Sequence, residues 1–254
     1  MNSLMTNAAL WLHIQHSKTY SYYKFQKSQA TVSEPLTAEE REFYLKLQST
    51  LQGEDLVVYD IGAAKGIVSA CLEKLANVAS IQAFEPIPDV YQALQARFAT
   101  SKKVKCHNVA LGNETGVALM NISHRSDSSS LLPIASLHSD EFPGTEARTQ
   151  IKVPVLCLDD YIKQNNLPQP DVVKIDVQGF EEKVISGGLE TMAHAKYCVL
   201  EMSFKHLYEG SPLFDDIYQL MRKLNFRLVG MTDPLTGASG EQFQVDGIFE
   251  RQTD

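Results

Sequence analysis

The sequence predicts an α/β protein with a doubly wound, mostly parallel sheet, an antiparallel C-terminal hairpin and a helical N-terminal extension. Three observations support this fold: short apolar runs alternate with helical patterns, no internal repeat is visible, and a turn-rich loop joins the last two β-like runs. Strands buried on both faces read as continuous apolar runs, and βα alternation is typical of parallel sheets. We therefore expect an extension over 1–52 and one domain over 53–254.

Five apolar runs predict the parallel strands, and helical patterns separate most of them. The strands are expected at 56–59, 80–84, 104–109, 171–176 and 197–201. The helices are expected at about 66–76, 88–98, 179–192 and 212–224. The runs 226–231 and 243–249 predict the hairpin, because a short connection favours antiparallel pairing. Residues 113–155 break the alternation, so a β-rich or loop insertion near the ligand is expected there.

The extension is rich in tyrosine and ends in a helix signal. Thr37 stands three residues before Glu40, which is the spacing of a capping box, and apolar residues then follow at helical spacing. This pattern predicts an amphipathic helix over 38–51 that ends at Gly53. The aromatic residues leave four roles open: a lid, a platform for an acceptor, a homodimer contact or packing on the sheet edge.

Composition excludes several classes of protein. The net charge is −8 and the pI is near 5.4, which argues against a nucleic-acid binder that needs a basic face. No apolar run reaches the roughly 18 residues of a membrane span, and no basic segment precedes the short apolar patch near the N-terminus. The four cysteines form no C-x-x-C pair, so we expect buried thiols and a cytoplasmic protein.

Acidic and glycine residues follow the first two strands, where parallel sheets bind their ligands. Asp60 ends the first strand, and Gly62 and Gly66 allow the following loop to approach a ligand closely. Glu85 ends the second strand, where a carboxylate can accept hydrogen bonds from ribose hydroxyls. A carboxylate beside the loop suits a cationic ligand and repels a pyrophosphate, so S-adenosylmethionine fits better than NAD. Alternatively, Asp60 only caps a turn.

Further motifs follow in an order that resembles the FkbM-type methyltransferases. The segments are D-I-G-A-A-K-G at 60–66, F-E-P-I-P at 84–88, N-V-A-L-G at 108–112, V-L-C-L-D-D at 155–160, K-I-D-V-Q-G-F-E at 174–181 and V-L-E at 199–201. The resemblance covers about 55–232. It implies a class I methyltransferase fold, S-adenosylmethionine as cofactor and O-methylation of a hydroxyl on a sugar, glycan or small metabolite.

The resemblance also implies the residues that would contact the cofactor. They are Asp60, Gly62, Ala63, Ala64 and Gly66 of the loop, Glu85 and Pro86 at the ribose, Asn108, Val109 and Ala110 at the adenine, Ser129, and Asp176 at the sulfonium or acceptor hydroxyl. Two positions depart from the family pattern: Ala64 replaces a usual Asn, and Gln178 replaces a usual Glu. The serine run 128–130 is either a donor to the cofactor or a flexible loop.

An alcohol needs a base to accept its proton, and a positioned base contributes roughly 10²–10⁴-fold. Asp176 is the first candidate because it ends the fourth strand, although it can also cap the next helix. The other candidates are Glu181, His124 and Asp127; Glu181 would be favoured at a helix start without any catalytic role. Lys174 lies on the same side of the strand as Asp176 and is expected to pair with Asp176 or Glu201.

Three functions follow from this reading. The first is an S-adenosylmethionine-dependent O-methyltransferase. The second is a binding or scaffold protein of the same fold with weakened catalysis, which the residues at positions 64 and 178 would permit. The third is a nucleotide-dependent oxidoreductase, which the absence of G-x-G-x-x-G disfavours. No metal ligand set is assigned, although Asp159, Asp176 and Glu181 together could hold a divalent cation.

Overall fold

Alternating strands and helices make up the described part of the chain, residues 45–252, in a computed structural model. The strands are β1 (Leu56–Ile61), β2 (Val78–Phe84), β3 (Val104–His107), β4 (Ala110–Gly112), β5 (Gly116–Ser123), β6 (Ala147–Cys157), β7 (Val172–Ile175), β8 (Tyr197–Ser203), β9 (Phe226–Met231), β10 (Leu235–Thr236) and β11 (Gln242–Arg251). The helices are α1 (45–50), α2 (Ile67–Glu73), α3 (Pro88–Arg97), α4 (Ser136–Glu141), α5 (Leu158–Asn165), α6 (Glu181–Ser186), α7 (Leu189–His194) and α8 (Phe214–Lys223).

The main sheet has the predicted parallel core. Its strands lie in the order β3-β2-β1-β7-β8-β11, and the five from β3 to β8 are parallel. The strand order reverses beside β1, whose neighbours are β2 and β7. Ligands of doubly wound sheets bind beyond the carboxyl ends of the strands at this reversal. The loops after β1, β2 and β7 therefore form the expected ligand edge.

Helices cover both faces of this sheet and bury two separate apolar clusters. Leu47 of α1, Leu72 of α2 and Leu94 of α3 pack against one face. Ile162 of α5, Ile185 of α6 and Ile217 of α8 belong to the cluster on the other face. The fold class is thus confirmed as a doubly wound α/β sheet, because each strand needs apolar cover on both sides.

The C-terminal hairpin is confirmed. Its two main strands do not join the sheet in the order in which they follow along the chain. β11 lies between β8 and β9 and is antiparallel to both. The short β10 also pairs with β11. The last strand therefore enters the sheet beside β8, and β9 forms an edge.

Most of the segment expected to be an insertion folds as a second, smaller sheet. Its strands lie in the order β4-β6-β5, with β5 antiparallel to β6 and β4 parallel to it. Met120 and Val153 of this sheet pack with Val90 of α3, which fixes the small sheet next to the main one. The β-rich alternative is confirmed. A 3₁₀ turn at Ser126–Ser128 and α4 connect β5 to β6.

Several expected boundaries were wrong. The single helix predicted over 179–192 is two helices, α6 and α7, separated at Gly187 and Gly188. A Cβ at Gly187 would lie 1.8 Å from the Gly112 carbonyl oxygen, so close packing on β4 requires glycine at this break. The third parallel strand ends at His107 rather than at 109.

The extension lies largely outside the described residues. Positions 45–50 are helical, as predicted, whereas the capping box and the tyrosine-rich segment, with the lid, platform and homodimer roles, fall in 1–44. Among residues 45–252, no helix combines the length and apolar character that crossing a bilayer requires.

Candidate functional site

The loop after β1 reaches the ligand edge in a conformation that requires glycine at its start. Gly62 has φ 77°, and a Cβ there would lie 1.9 Å from the backbone oxygen of Asp176. The Gly62 and Ala63 amides both donate to the Phe84 carbonyl, at 3.1 and 2.9 Å. The loop is therefore held between the ends of β2 and β7. Ala64 adopts a left-handed conformation with φ 47°, where the family pattern has Asn, a residue that tolerates this region.

Asp60 is fully buried under this loop and bonds within the protein. Its Oδ2 accepts a hydrogen bond from Ser69 Oγ at 2.5 Å, and its Oδ1 lies 3.2 Å from Lys174 Nζ. The Asp60 carboxylate therefore has no exposed surface for a cofactor contact. Its place is below the loop, where it holds Ser69 and Lys174.

Lys174 is a buried cation that connects β7 to the loop. Besides Asp60, its Nζ donates to the Gly62 carbonyl oxygen at 3.0 Å and lies 3.5 Å from Asp176 Oδ2. Burial lowers the pKa of Lys174, but Asp60 and Asp176 outweigh it and the net pKa is raised. The expected pair with Asp176 is confirmed. The closer carboxylate, Asp60, was not predicted from the sequence. The pairing of β1 with β7 could have indicated it, because this register places Asp60 opposite Lys174.

Glu85, directly after β2, orients the loop with both carboxylate oxygens. Oε2 accepts the Ala64 amide at 3.0 Å, and Oε1 accepts the Ile87 amide at 2.8 Å. Burial raises the pKa of Glu85 to about 7, although these two amides and Lys174 act in the opposite direction. Each carboxylate oxygen has two acceptor positions, so Glu85 keeps acceptor capacity for a ribose hydroxyl at this edge.

The three residues expected at the adenine, 108–110, differ in solvent exposure. Asn108 is exposed, and its side-chain amide donates to the backbone oxygens of Glu85 and Pro86 at 2.9 and 3.0 Å. Val109 and Ala110 are buried in two different apolar clusters. Asn108 and Pro86 therefore remain next to the ligand edge, whereas the two apolar side chains support it from inside.

Asp176 follows β7 and keeps part of its carboxylate at the surface. Its side chain is 32% exposed, with Oδ2 near Lys174 and Oδ1 accepting from Gln178 Nε2 at 2.8 Å. Asp176 is thus the most exposed carboxylate of the loop cluster, because Asp60 and Glu85 are buried.

Gln178, which departs from the family pattern, connects Asp176 to a second carboxylate. Its Nε2 also donates to Glu201 Oε2 at 2.6 Å, and its Oε1 accepts from Tyr208 Oη at 2.5 Å. Glu201 Oε2 receives a further hydrogen bond from Gln244 Nε2 at 2.8 Å. Sequence reasoning missed Glu201 as a site residue. The V-L-E motif contained it, but only the register of β7 with β8 places it beside Asp176.

Glu181 was wrong as a candidate that faces the ligand, because its carboxylate turns inward. Oε1 accepts the amides of Val177 and Gly179 at 3.1 and 3.0 Å, and the side chain is buried. Burial raises the pKa of Glu181 to about 7 against the effect of these backbone hydrogen bonds. Glu181 therefore holds the turn that carries Asp176 and Gln178.

The serine run is bonded into the fold rather than forming a flexible loop. Ser129 Oγ accepts the Ser123 amide at 3.1 Å, and Ser130 Oγ donates to the backbone oxygen of Gln178 at 2.7 Å. Ser129 is thus engaged in its own segment. His124 follows β5 with an exposed side chain, and nothing in the described contacts brings it to Asp176.

A small polar cleft opens between the insertion and the end of the main sheet. Gln178 and Glu201 form part of its wall, and Arg125 and Asp127, which form an ion pair at 3.6 Å, also line it. Gln178 therefore separates Asp176 from this cleft. Asp127, a candidate base, lines the cleft and not the Asp176 turn.

The three residues considered for a divalent cation do not meet. Both Asp159 oxygens cap α7, accepting the Glu190 and Thr191 amides at 2.9 Å. Across residues 45–252, no group of His, Cys, Asp and Glu side chains has the arrangement of a metal site.

Comparison with known proteins shows which family the chain belongs to. The methyltransferase FkbM domain matches residues 60–228. The chain belongs to the FkbM methyltransferase family. It is 27% identical over 171 residues to the 2-O-methyltransferase NoeI of Sinorhizobium fredii, covering 65% of this chain and 70% of NoeI. It is also 27% identical over 149 residues to the hexuronic acid methyltransferase AglP of Haloferax volcanii, covering 59% of this chain and 56% of AglP.

The methyltransferase fold is confirmed by a solved structure. Magnesium protoporphyrin IX methyltransferase (ChlM) from Synechocystis PCC 6803 with bound S-adenosylmethionine superposes with a TM-score of 0.50 at 11% identity, over 91% of each chain. The protein is a methyltransferase, and its cofactor is S-adenosylmethionine. The site fits this cation: Lys174 lies within 3.5 Å of two carboxylates, those of Asp60 and Asp176, so the cluster keeps a net negative charge below the ligand edge.

Proposed function

We propose that this FkbM methyltransferase transfers the methyl group of S-adenosylmethionine to a hydroxyl of a sugar or glycan. The names of two relatives support the proposal: one is a 2-O-methyltransferase, and the other acts on a hexuronic acid. The observation that carries it is the partly exposed carboxylate of Asp176 at the ligand edge, where Gln178 connects it to the wall of the polar cleft. Its lining of carboxylate, amide and guanidinium groups matches the hydrogen-bonding demand of a polyhydroxyl acceptor.

The cofactor side of the proposal uses residues at the reversal of strand order. Glu85 would accept hydrogen bonds from the ribose, the loop 62–66 would lie along the amino-acid part, and Asp176 would face the cation. The bound cofactor supplies a methyl group that is already activated as a sulfonium. What the protein contributes is alignment, and oriented reactions gain roughly 7–11 kcal/mol from proximity.

Asp176 is the proposed base for the acceptor hydroxyl. It is held by Lys174 and Gln178 on the protein side and is exposed on the other, so its position is fixed while a hydroxyl can reach it. We expect Asp176→Asn to keep cofactor affinity within about tenfold and to lower methyl transfer by roughly 10²–10⁴-fold.

The test is transfer of a tritiated methyl group from S-adenosylmethionine to a panel of sugars. Methyl glycosides of neutral hexoses and hexuronic acids are compared with matched acceptors in which the 2-hydroxyl is absent. The proposal expects a product whose label survives mild base, because a methyl ether is stable under conditions that hydrolyse a methyl ester. A base-labile product would mean carboxyl methylation, and binding of S-adenosylhomocysteine without transfer to any sugar would overturn the acceptor class.

A further inference from the structure

We infer that Gln178 is a positioning residue whose amide holds the carboxylates of Asp176 and Glu201 side by side and keeps both ionised. The inference rests on the proposed function in one respect: Asp176 belongs to the cofactor side and Glu201 to the acceptor cleft. Gln178 lies between the two sites and contacts both carboxylates.

The geometry defines which way the amide points. Nε2 donates to Asp176 at 2.8 Å and to Glu201 at 2.6 Å, so both of its hydrogens are used on carboxylates. Oε1 accepts from Tyr208, a phenol whose burial raises its pKa well above the usual value and keeps it a donor. The reversed amide would place its oxygen against two carboxylates, and both hydrogen bonds would be lost.

The backbone of Gln178 is held as firmly as its side chain. Its φ is 58°, a left-handed conformation that costs a non-glycine residue free energy. Its carbonyl oxygen accepts from Ser130 Oγ at 2.7 Å, which ties it to the insertion. The residue is 9% exposed, so water has little access to its amide.

Neutral amide donors at this position have a definite electrostatic effect. Hydrogen bonds to the ionised form of a carboxyl favour that form, whereas a third carboxylate would disfavour it. Two cations face the cluster, Lys174 of β7 and Arg125 of the insertion. The other titratable groups around it are Asp60 of β1, Asp127 of the insertion, His138 of α4, Glu181 of α6, Tyr208, and Asp246 of β11. All of these stay the same when only position 178 is changed.

The experiment is a carbon-13 NMR titration of the side-chain carboxyls in the full chain, from pH 4 to 9. Wild type is compared with Gln178→Glu and Gln178→Ala, and the signals are assigned with Asp176→Asn and Glu201→Gln. We expect the highest apparent pKa of the pair to rise by about one unit or more in both position-178 variants, and most in Gln178→Glu. Tyr208→Phe is the control, because it loosens the amide without removing its donors, and it should shift the pair less.

A second readout separates positioning from simple stability. If a sugar acceptor has been found, the acid limb of kcat/KM against pH should move upward in Gln178→Glu by the same interval as the NMR value. Because the titration needs no acceptor, it remains decisive even if the sugar assignment fails. If Gln178→Glu does not fold, Gln178→Ala serves instead, because it also removes both amide donors. Unchanged apparent pKa values in folded variants would overturn the inference.

Discussion

Replacing Lys174 with methionine removes the ammonium that Asp60 faces in the interior. Lys174 Nζ lies 3.2 Å from Asp60 Oδ1 and 3.0 Å from the Gly62 oxygen, while Asp60 itself has 0% exposure. Methionine keeps most of the side-chain volume, so the loss is electrostatic. Breaking a buried ion pair from one side costs about 3–5 kcal/mol, because the remaining charge is buried without compensation. Since domains have about 5–15 kcal/mol of stability in total, the loss should be large.

The assay is urea unfolding at pH 7 followed by circular dichroism, with Lys196→Met as the matched control. Lys196 forms a 2.8 Å ion pair with Asp171, but its side chain is 59% exposed. Exposed pairs contribute about 0–1 kcal/mol, so the control should lose less than about 1 kcal/mol. The two variants thus remove the same group, once from a buried cluster with two carboxylates and once from an exposed pair.

A double variant identifies the cause of the loss. Asp60→Asn combined with Lys174→Met leaves no buried charge at this position, and it should recover much of the stability that Lys174→Met loses. The reasoning is refuted if Lys174→Met loses no more than Lys196→Met. It is also refuted if the double variant is as unstable as the single one.

Three further outcomes are expected. The raised pKa of Glu181, about 7 against 4.5, means that the folded state retains a proton which the unfolded chain releases. The contribution of Glu181 to stability should therefore be fully present below pH 4.5 and be lost as pH rises through about 7. Glu181→Gln should flatten this pH dependence in thermal unfolding, and parallel curves for the variant and the wild type would contradict it. Ala64→Gly should stabilise the protein by up to about 1 kcal/mol in urea because φ is positive there, whereas Ala63→Gly should destabilise it; the same sign for both would be inconsistent. Glu85→Gln should weaken S-adenosylhomocysteine binding by about 1.5–3 kcal/mol in calorimetry, and unchanged affinity in a folded variant would remove Glu85 from the ribose site.

Much of the candidate site could be located from sequence, because strand ends and glycine loops are local signals. The structure places Asp60, Gly62, Glu85 and Asp176 at or directly after the ends of β1, β2 and β7, as predicted. Their partners could not be read from the same signals. Glu85 binds loop amides, and Asp60 is sealed beneath the loop, since the direction and burial of a carboxylate depend on what packs above it.

The candidate bases also show that sequence does not predict the direction of a side chain. Glu181 and His124 were chosen for residue type and neighbourhood, yet one side chain turns inward to backbone amides and the other is exposed. A helix start or a loop position does not define where a side chain points. Only the packed turn after β7 and the course of the insertion decide that.

The amino-acid order by itself determined the alternation of strands and helices, the hairpin and the family, because apolar periodicity, turn residues and short motifs act within a few residues of each other. Tertiary structure alone decided that β11 lies between β8 and β9, that Lys174 reaches Asp60, and that Gln178 joins Asp176 to Glu201. These contacts connect distant parts of the chain, and they exist only once strand order and register have brought the parts together. Burial then makes each hydrogen bond and charge pair consequential, because water can no longer replace a missing partner.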